Sequence, residues 1–250
     1  MATSNSSGRS SSGGKPENAP DATFVAAPAD GVLPENFFAT TNLPTFVRVN
    51  GEWLEADRVV VACEAHSGAG LVAPVDSRLS ELMGMVAYSS SMTVAVGFDA
   101  ADFKTPPIGF GFLVPKKERR RLVACTWVGT KFPNRAPEGT ILARCFLGGT
   151  NDAAVLQETD ETILGIVTSE LQEIVGLCGQ PAFSRISRWP SSMAQYSVGH
   201  GERVAEIEAR VAAIPGLQLA GNAYRGIGIP DCIRTGKSAA EQLLTVPVKR

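Results

Sequence analysis

Two histidines, His66 and His200, are all the imidazole this sequence offers, and its five cysteines (Cys63, Cys125, Cys145, Cys178 and Cys232) include no Cys-x-x-Cys pair. A structural zinc site lacks its ligands. The odd cysteine count fits no closed disulfide framework, so a reducing, cytoplasmic setting is expected. Cys63, Cys125 and Cys145 sit in apolar, strand-like runs and read as small buried hydrophobes. A large excess of either charge is missing too. The 23 Lys+Arg against 25 Asp+Glu give a formal net charge of -2, which leaves no electrostatic footprint for a polyanion and excludes nucleic acid as a partner class. No apolar run approaches the roughly 18–20 residues that a bilayer span needs.

What is present is a chain of 250 residues, 44% hydrophobic, enough to bury a core. Residues 1–41 are rich in Ser, Gly, Pro and Ala and lack the apolar segment of a secretory signal, so they read as a disordered low-complexity leader. With Arg9 and Lys15 and no acid before Glu17, an organellar transit peptide stays open as a second reading.

From Asn42 the pattern changes. FVRV-NG-EWLEA predicts a two-stranded ribbon around Asn50-Gly51, a dipeptide suited to a type I′ turn. Val59 to Val61 predicts a strand buried on both faces, followed by small residues where the chain turns. DSRLSELMGM, with Asp76 as N-cap and Leu79, Leu82 and Met83 at helical spacing, predicts a helix. Ser91–Phe98, Gly109–Val114, Arg121–Val128 and Thr140–Gly149 are strand-length runs with no helix between them, which points to an antiparallel sheet. Glu158 to Leu177 is an amphipathic helix placed to cover one face of it. RISRWPSSMAQYSVGH predicts a short strand and an irregular loop, because Pro190 removes a backbone donor. A second helix ends at Pro215-Gly216, and a short buried strand, Leu217–Gly221, runs into a glycine loop and a last helix from about Cys232.

That loop reads GNAYRGIGIPDCIRTGKSAAEQLL. Gly226 and Gly228 have no Cβ, so main chain there can approach a flat or phosphorylated ligand closely, and the helix start adds N–H groups that favour an electron-rich carbonyl or phosphate. A plain turn joining strand to helix explains the spacing equally well. His200, just before a helix, suits a capping role better than proton transfer, and KKERRR (Lys116–Arg121) is either a solvated turn or a site for carboxylates or anionic lipid.

The stretch LAGNAYRGIGIPDCIRTGKSAAE resembles the C-terminal flavin-binding motif of the protoporphyrinogen oxidases, within the wider flavin amine oxidases and carotenoid desaturases. ADRVVVACEAH, YSSSMTVAVGF, GFGFLVP, KFPNRAP, LGG and RWPSSMAQYSVGH follow the order of that family, so the likeness extends from Asn42 to the end. It implies FAD as cofactor, with Gly221, Asn222, Ile227, Gly228 and Ile229 against the flavin and Trp189 flanking its ring system. It implies an apolar substrate slot of Phe110, Leu113 and Phe132. The implied reaction is oxidation of protoporphyrinogen IX to protoporphyrin IX in haem biosynthesis, with molecular oxygen as acceptor; coproporphyrinogen III is the rival substrate, and no catalytic acid or base is nominated.

The implied fold is α/β plus α+β: an incomplete FAD-binding domain of Rossmann-like, glutathione-reductase type at 42–87 and 197–250, with an inserted antiparallel-sheet substrate domain at 88–196. A full family member opens with a strand, a Gly-x-Gly-x-x-Gly turn and a helix, and no such fingerprint occurs here. Nor does the first-half arginine that meets a substrate carboxylate. The expectation is a fragment of a longer oxidase, of low solubility or marginal stability alone. A split enzyme completed by another chain, a homo-oligomer, peripheral membrane contact and a non-catalytic remnant that binds porphyrin or a partner remain alternatives.

Overall fold

The computed structural model describes residues 22–25, 45–49 and 52–245. The chain divides into two compact units, one of Val86–His200 and one of Met1–Met85 with Gly201–Arg250.

In the discontinuous unit, β1 (Ala22–Val25), β2 (Thr45–Val49) and β3 (Glu52–Ala56) form an antiparallel sheet in that order. β2 and β3 pair from Val49↔Glu52 outward, as a hairpin with a two-residue connection does. Asn50 and Gly51, the expected turn, lie outside the described residues. β1 falls within the stretch expected to be disordered leader. Thr23, Phe24 and Val25 are strong strand formers, and β2 supplies the ladder they pair with.

β4 (Val59–Val61) pairs in parallel with β10 (Leu217–Leu219), from Val59↔Leu217 to Val61↔Leu219. The expectation of burial on both faces fails at Val60, which is 41% exposed while Val61, on the other face, is buried. The small residues after β4 are not a turn but helix α1 (Ala65–Val72), whose Ala65, Ala69 and Val72 form a buried stripe at helical spacing. Cys63 precedes α1 in a half-buried loop rather than a strand, and burial pushes its thiol pKa up. α2 (Ser77–Gly84) buries Leu79, Leu82 and Met83, as its spacing predicts. α5 (His200–Ala212) and α6 (Ile229–Thr245) complete the unit's helices, Ile207 and Leu243 being buried.

The other unit is a five-stranded antiparallel sheet in the order β6-β7-β8-β5-β9: β6 (Gly111–Leu113), β7 (Leu122–Trp127), β8 (Thr140–Gly148), β5 (Ala87–Asp99) and β9 (Phe183–Gln195). A single turn, α3 (Val128–Lys131), follows β7. Alternation along β5 sends Met92, Val94, Val96 and Phe98 to the core, where Ile163, Val167 and Leu171 of α4 (Asp160–Val175) meet them. Truncating one such side chain to alanine costs about 2–5 kcal/mol. Cys125 and Cys145 face each other across β7 and β8, fully buried with sulfurs 3.8 Å apart.

β9 overturns the expected short strand and loop: it runs 13 residues straight through Pro190. As an edge strand it tolerates a missing donor, and the proline sits where the register with β5 shifts between Ser89 and Ser91. The basic run also resolves. Arg120 pairs with Glu173, and Arg121 pairs with Asp152 and Glu158, while the Glu170 carboxylate accepts from the backbone N–H groups of Arg121 and Leu122. Arg188 ties β9 to the start of α4 by donating to the carbonyls of Leu156 and Glu158 and pairing with Asp160. Among the described residues no helix is long and apolar enough to cross a membrane.

Asp76 tests the folding of the discontinuous unit. Its Oδ1 accepts from Leu79 N at 2.9 Å, capping α2, and both carboxylate oxygens meet Arg210 Nη1 at 3.0 and 3.1 Å. Burial pushes the Asp76 pKa up, but the bonds from Leu79 and Arg210 outweigh it and hold the carboxyl below the ordinary aspartate value. Such a group stabilises the fold fully above its unfolded pKa of about 3.9, and loses that contribution as pH falls through the lower folded value. Asp76→Ala should lose about 1 kcal/mol in urea unfolding at pH 7 from the missing cap, and the gap from wild type should close as pH drops below about 4. A constant gap down to acid pH would contradict the assignment.

Candidate functional site

Between β10 and α6 the chain makes the glycine loop. Its entry is anchored: Ala220 N donates to the Val61 carbonyl at 3.0 Å and Gly221 N to Thr235 Oγ1 at 3.2 Å. Ala223 and Tyr224 are buried beneath it. Gly226 has φ +119°, and a Cβ there would stand 2.3 Å from Cγ of Asp231, so the loop closes only around a glycine.

α6 begins at Ile229, three residues earlier than expected, because Cys232 N already bonds the Gly228 carbonyl at 3.0 Å and makes Gly228 the N-cap. Asp231, three residues on, reaches back to Gly228 N at 3.3 Å, one half of a capping box. The salt bridge from Arg234 and the Gly228 N–H hold the Asp231 carboxyl below its usual pKa. Arg234 also donates to the Arg225 carbonyl at 2.9 Å, and Arg225 in turn pairs with Glu208.

Asp231 places a carboxylate in the first turn of α6 and Pro230 carries no N–H there, which makes this helix start less favourable to a phosphate than to an uncharged ligand. What the loop presents is apolar: Ile227 and Ile229 are exposed, Ile229 by 78%, beside half-buried Gly228. Bare main chain flanked by exposed isoleucines fits a planar, weakly polar ring system. Gly221 and Asn222 lie at the loop entry, half-buried.

In the other unit the residues expected to hold substrate are all at the surface. Phe110 is 66% exposed and Leu113 82%, both on or beside edge strand β6, and Phe132 follows α3 with Lys131 Nζ 5.6 Å from its ring centroid. The glycine between the two phenylalanines of GFGF has a structural cause. Gly111 has φ +143°, and a Cβ there would stand 2.0 Å from the Cys125 carbonyl oxygen, so β6 reaches β7 only with glycine.

Directly paired residues of a sheet share a face, so Leu113, opposite Ala124, stands on the same face as Phe146, Thr93 and Ser187. This is the face away from α4. A cavity of about 410 Å³ opens there, lined by Thr93, Ala95, Arg144, Phe146, Arg185, Ser187 and Trp189. Trp189 is exposed, and its Nε1 donates to Thr93 Oγ1 at 3.1 Å, which fixes the indole across the pleat. The structure therefore places Trp189 in the sheet unit, and Gly221, Asn222, Ile227, Gly228 and Ile229 in the other. Arg144 and Arg185 escaped the reading of the sequence, although their outward phase in TILARCF and SRISRW was the available signal. His200 opens α5, buried and stacked on Tyr196 with ring centroids 3.8 Å apart.

The family described as flavin containing amine oxidoreductase matches residues 40–244. The chain is 36% identical over 198 residues to coproporphyrinogen III oxidase of Bacillus subtilis (strain 168), covering 78% of this chain and 42% of that one. It is 27% identical over 163 residues to the mitochondrial protoporphyrinogen oxidase of Nicotiana tabacum, covering 64% and 32%. A crystal structure from Exiguobacterium sp. 255-15, provisionally named protoporphyrinogen oxidase, superposes with a TM-score of 0.70 at 29% identity, covering 80% and 44%. Reduced UDP-galactopyranose mutase shares the fold alone, with a TM-score of 0.66 at 11% identity over 82% of this chain and 45% of that one. The chain thus spans under half the length of the curated relatives it matches.

The loop geometry yields a direct test. Gly226→Ala must strain a backbone at φ +119° and displace Asp231 from Gly228, so it should cost about 2 kcal/mol in urea unfolding. Unchanged stability would show that the loop is not held as described.

Proposed function

The chain belongs to the flavin-containing amine oxidoreductases, and from that premise we propose that it serves FAD-dependent oxidation of protoporphyrinogen IX to protoporphyrin IX, in haem and tetrapyrrole biosynthesis. The observation that carries the reading is the Gly226–Ile229 loop, an exposed, apolar stretch of main chain held rigid between a parallel strand and a capped helix. The names of the relatives supply the substrate class.

In this reading residues 42–87 and 197–250 form part of an FAD-binding domain of Rossmann-like type, and 88–196 carry the substrate. Gly221, Asn222, Ile227, Gly228 and Ile229 lie against the isoalloxazine, and Trp189 flanks it. Bound flavin supplies a two-electron acceptor, and molecular oxygen takes the electrons onward. Phe110, Leu113 and Phe132 grip the macrocycle by excluding water from an apolar ring. Around the ring itself the site needs few polar groups, because the macrocycle is apolar and its oxidised product gains aromatic stabilisation; no residue here is assigned as acid or base.

A second reading, oxidation of coproporphyrinogen III to coproporphyrin III, is favoured by the name of the Bacillus subtilis relative, the more similar of the two curated relatives described above.

The test is the chain supplied with FAD and either porphyrinogen, followed by porphyrin fluorescence. A retained flavin absorption band and saturable product formation above autoxidation are expected. Phe110→Ala and Leu113→Ala should each raise KM about tenfold with little change in kcat, as loss of uniform apolar binding does. A colourless protein that still shifts a porphyrin spectrum would instead support a binding role without turnover.

A further inference from the structure

The face of the sheet opposite α4 carries two guanidiniums in one cross-strand row: Arg144 of β8 pairs with Ala95 of β5, which pairs with Arg185 of β9. Strands lie about 4.8 Å apart, so the two Cα atoms stand roughly 10 Å from one another across a single alanine. Both arginines are exposed, and neither meets a carboxylate among the described residues. The contrast lies within the same sheet and on its neighbouring strands, where Arg121 and Arg188 are each tied to acids or carbonyls. The next row along the same face is Leu113, Ala124, Phe146, Thr93 and Ser187, with Trp189 beyond.

An apolar and aromatic floor bordered by two unpaired, evenly spaced cations is complementary to a flat apolar ring that carries anionic arms. Ala95 keeps the space between the guanidiniums open, and the arginine forks suit carboxylates. We propose that Arg144 and Arg185 bind two carboxylates of the tetrapyrrole, on neighbouring propionate arms, and so set how many carboxylates the site accepts. The inference rests on the porphyrinogen reading and adds its specificity residues. Charge thereby gains a role on a face where, of the residues implied by resemblance, strand pairing places Leu113 and Trp189.

The same two cations could meet the diphosphate of FAD, and the experiment separates the sources. The full chain with added FAD is titrated with coproporphyrin III and with its tetramethyl ester, which has the same ring without charge. Arg144→Gln and Arg185→Gln should each weaken coproporphyrin III binding about tenfold, while Arg144→Lys and Arg185→Lys retain part of it. Ester binding and FAD loading should be the same in all variants. Since both side chains are exposed, folding is checked by circular dichroism and should not change. Coproporphyrin III binding unaltered in the glutamine variants overturns this inference and leaves the proposed function standing. Loss of FAD with porphyrin binding intact assigns the arginines to the diphosphate and also overturns it. A wild-type chain that binds neither porphyrin overturns the proposed function, and this inference with it.

Discussion

The alternation of side chains along β5, β8 and β9 is the constraint on which the rest depends. One phase, Met92, Val94, Val96 and Phe98 on β5 with Ala143, Cys145 and Leu147 on β8, is removed from water by α4. The other phase then has no choice of direction. Thr93, Ala95, Arg144, Phe146, Arg185 and Trp189 must stand on the opposite face, in register, because a one-residue slip would invert every one of them. Burying the core thus positions the candidate binding surface.

Ion pairs confirm the division of labour. Arg120 meets Glu173 in the last turn of α4, Arg121 meets Asp152 and Glu158 ahead of it, and Arg188 meets Asp160 and the carbonyls of Leu156 and Glu158 at its start, so both ends of the helix are tied to the sheet. Exposed pairs of this kind are individually weak, but Arg121 and Glu170 act through several bonds each, two of them to the backbone of β7 and its entry. In the other unit the Asp231, Arg234, Arg225 and Glu208 chain does similar work for the glycine loop. It holds the stretch around Gly226 and Gly228 in one conformation, leaving Ile227 and Ile229 outward.

The strands and helices with a clear period were legible in the sequence: Leu79, Leu82 and Met83 announce α2, and Ile163, Val167 and Leu171 announce α4. β9 was not, since Pro190 is a strand breaker except at an edge, and edge position is a property of the whole sheet. α1 hid behind small residues whose helical stripe gains meaning only once Ala65 and Ala69 are buried. The glycine loop and its neighbouring helix could be found by motif, but the Asp231 cap depends on a local closure around Gly226. Arg144 and Arg185, 41 residues apart in sequence, become neighbours only through the common partner Ala95.

The most direct measurement is a crystal structure of the chain with flavin and coproporphyrin III bound. The macrocycle is expected on the face of the sheet away from α4, near Leu113 and Phe146, with carboxylates within hydrogen-bonding distance of Arg144 and Arg185. A macrocycle elsewhere, or one on that face whose carboxylates point into solvent, would contradict this placement.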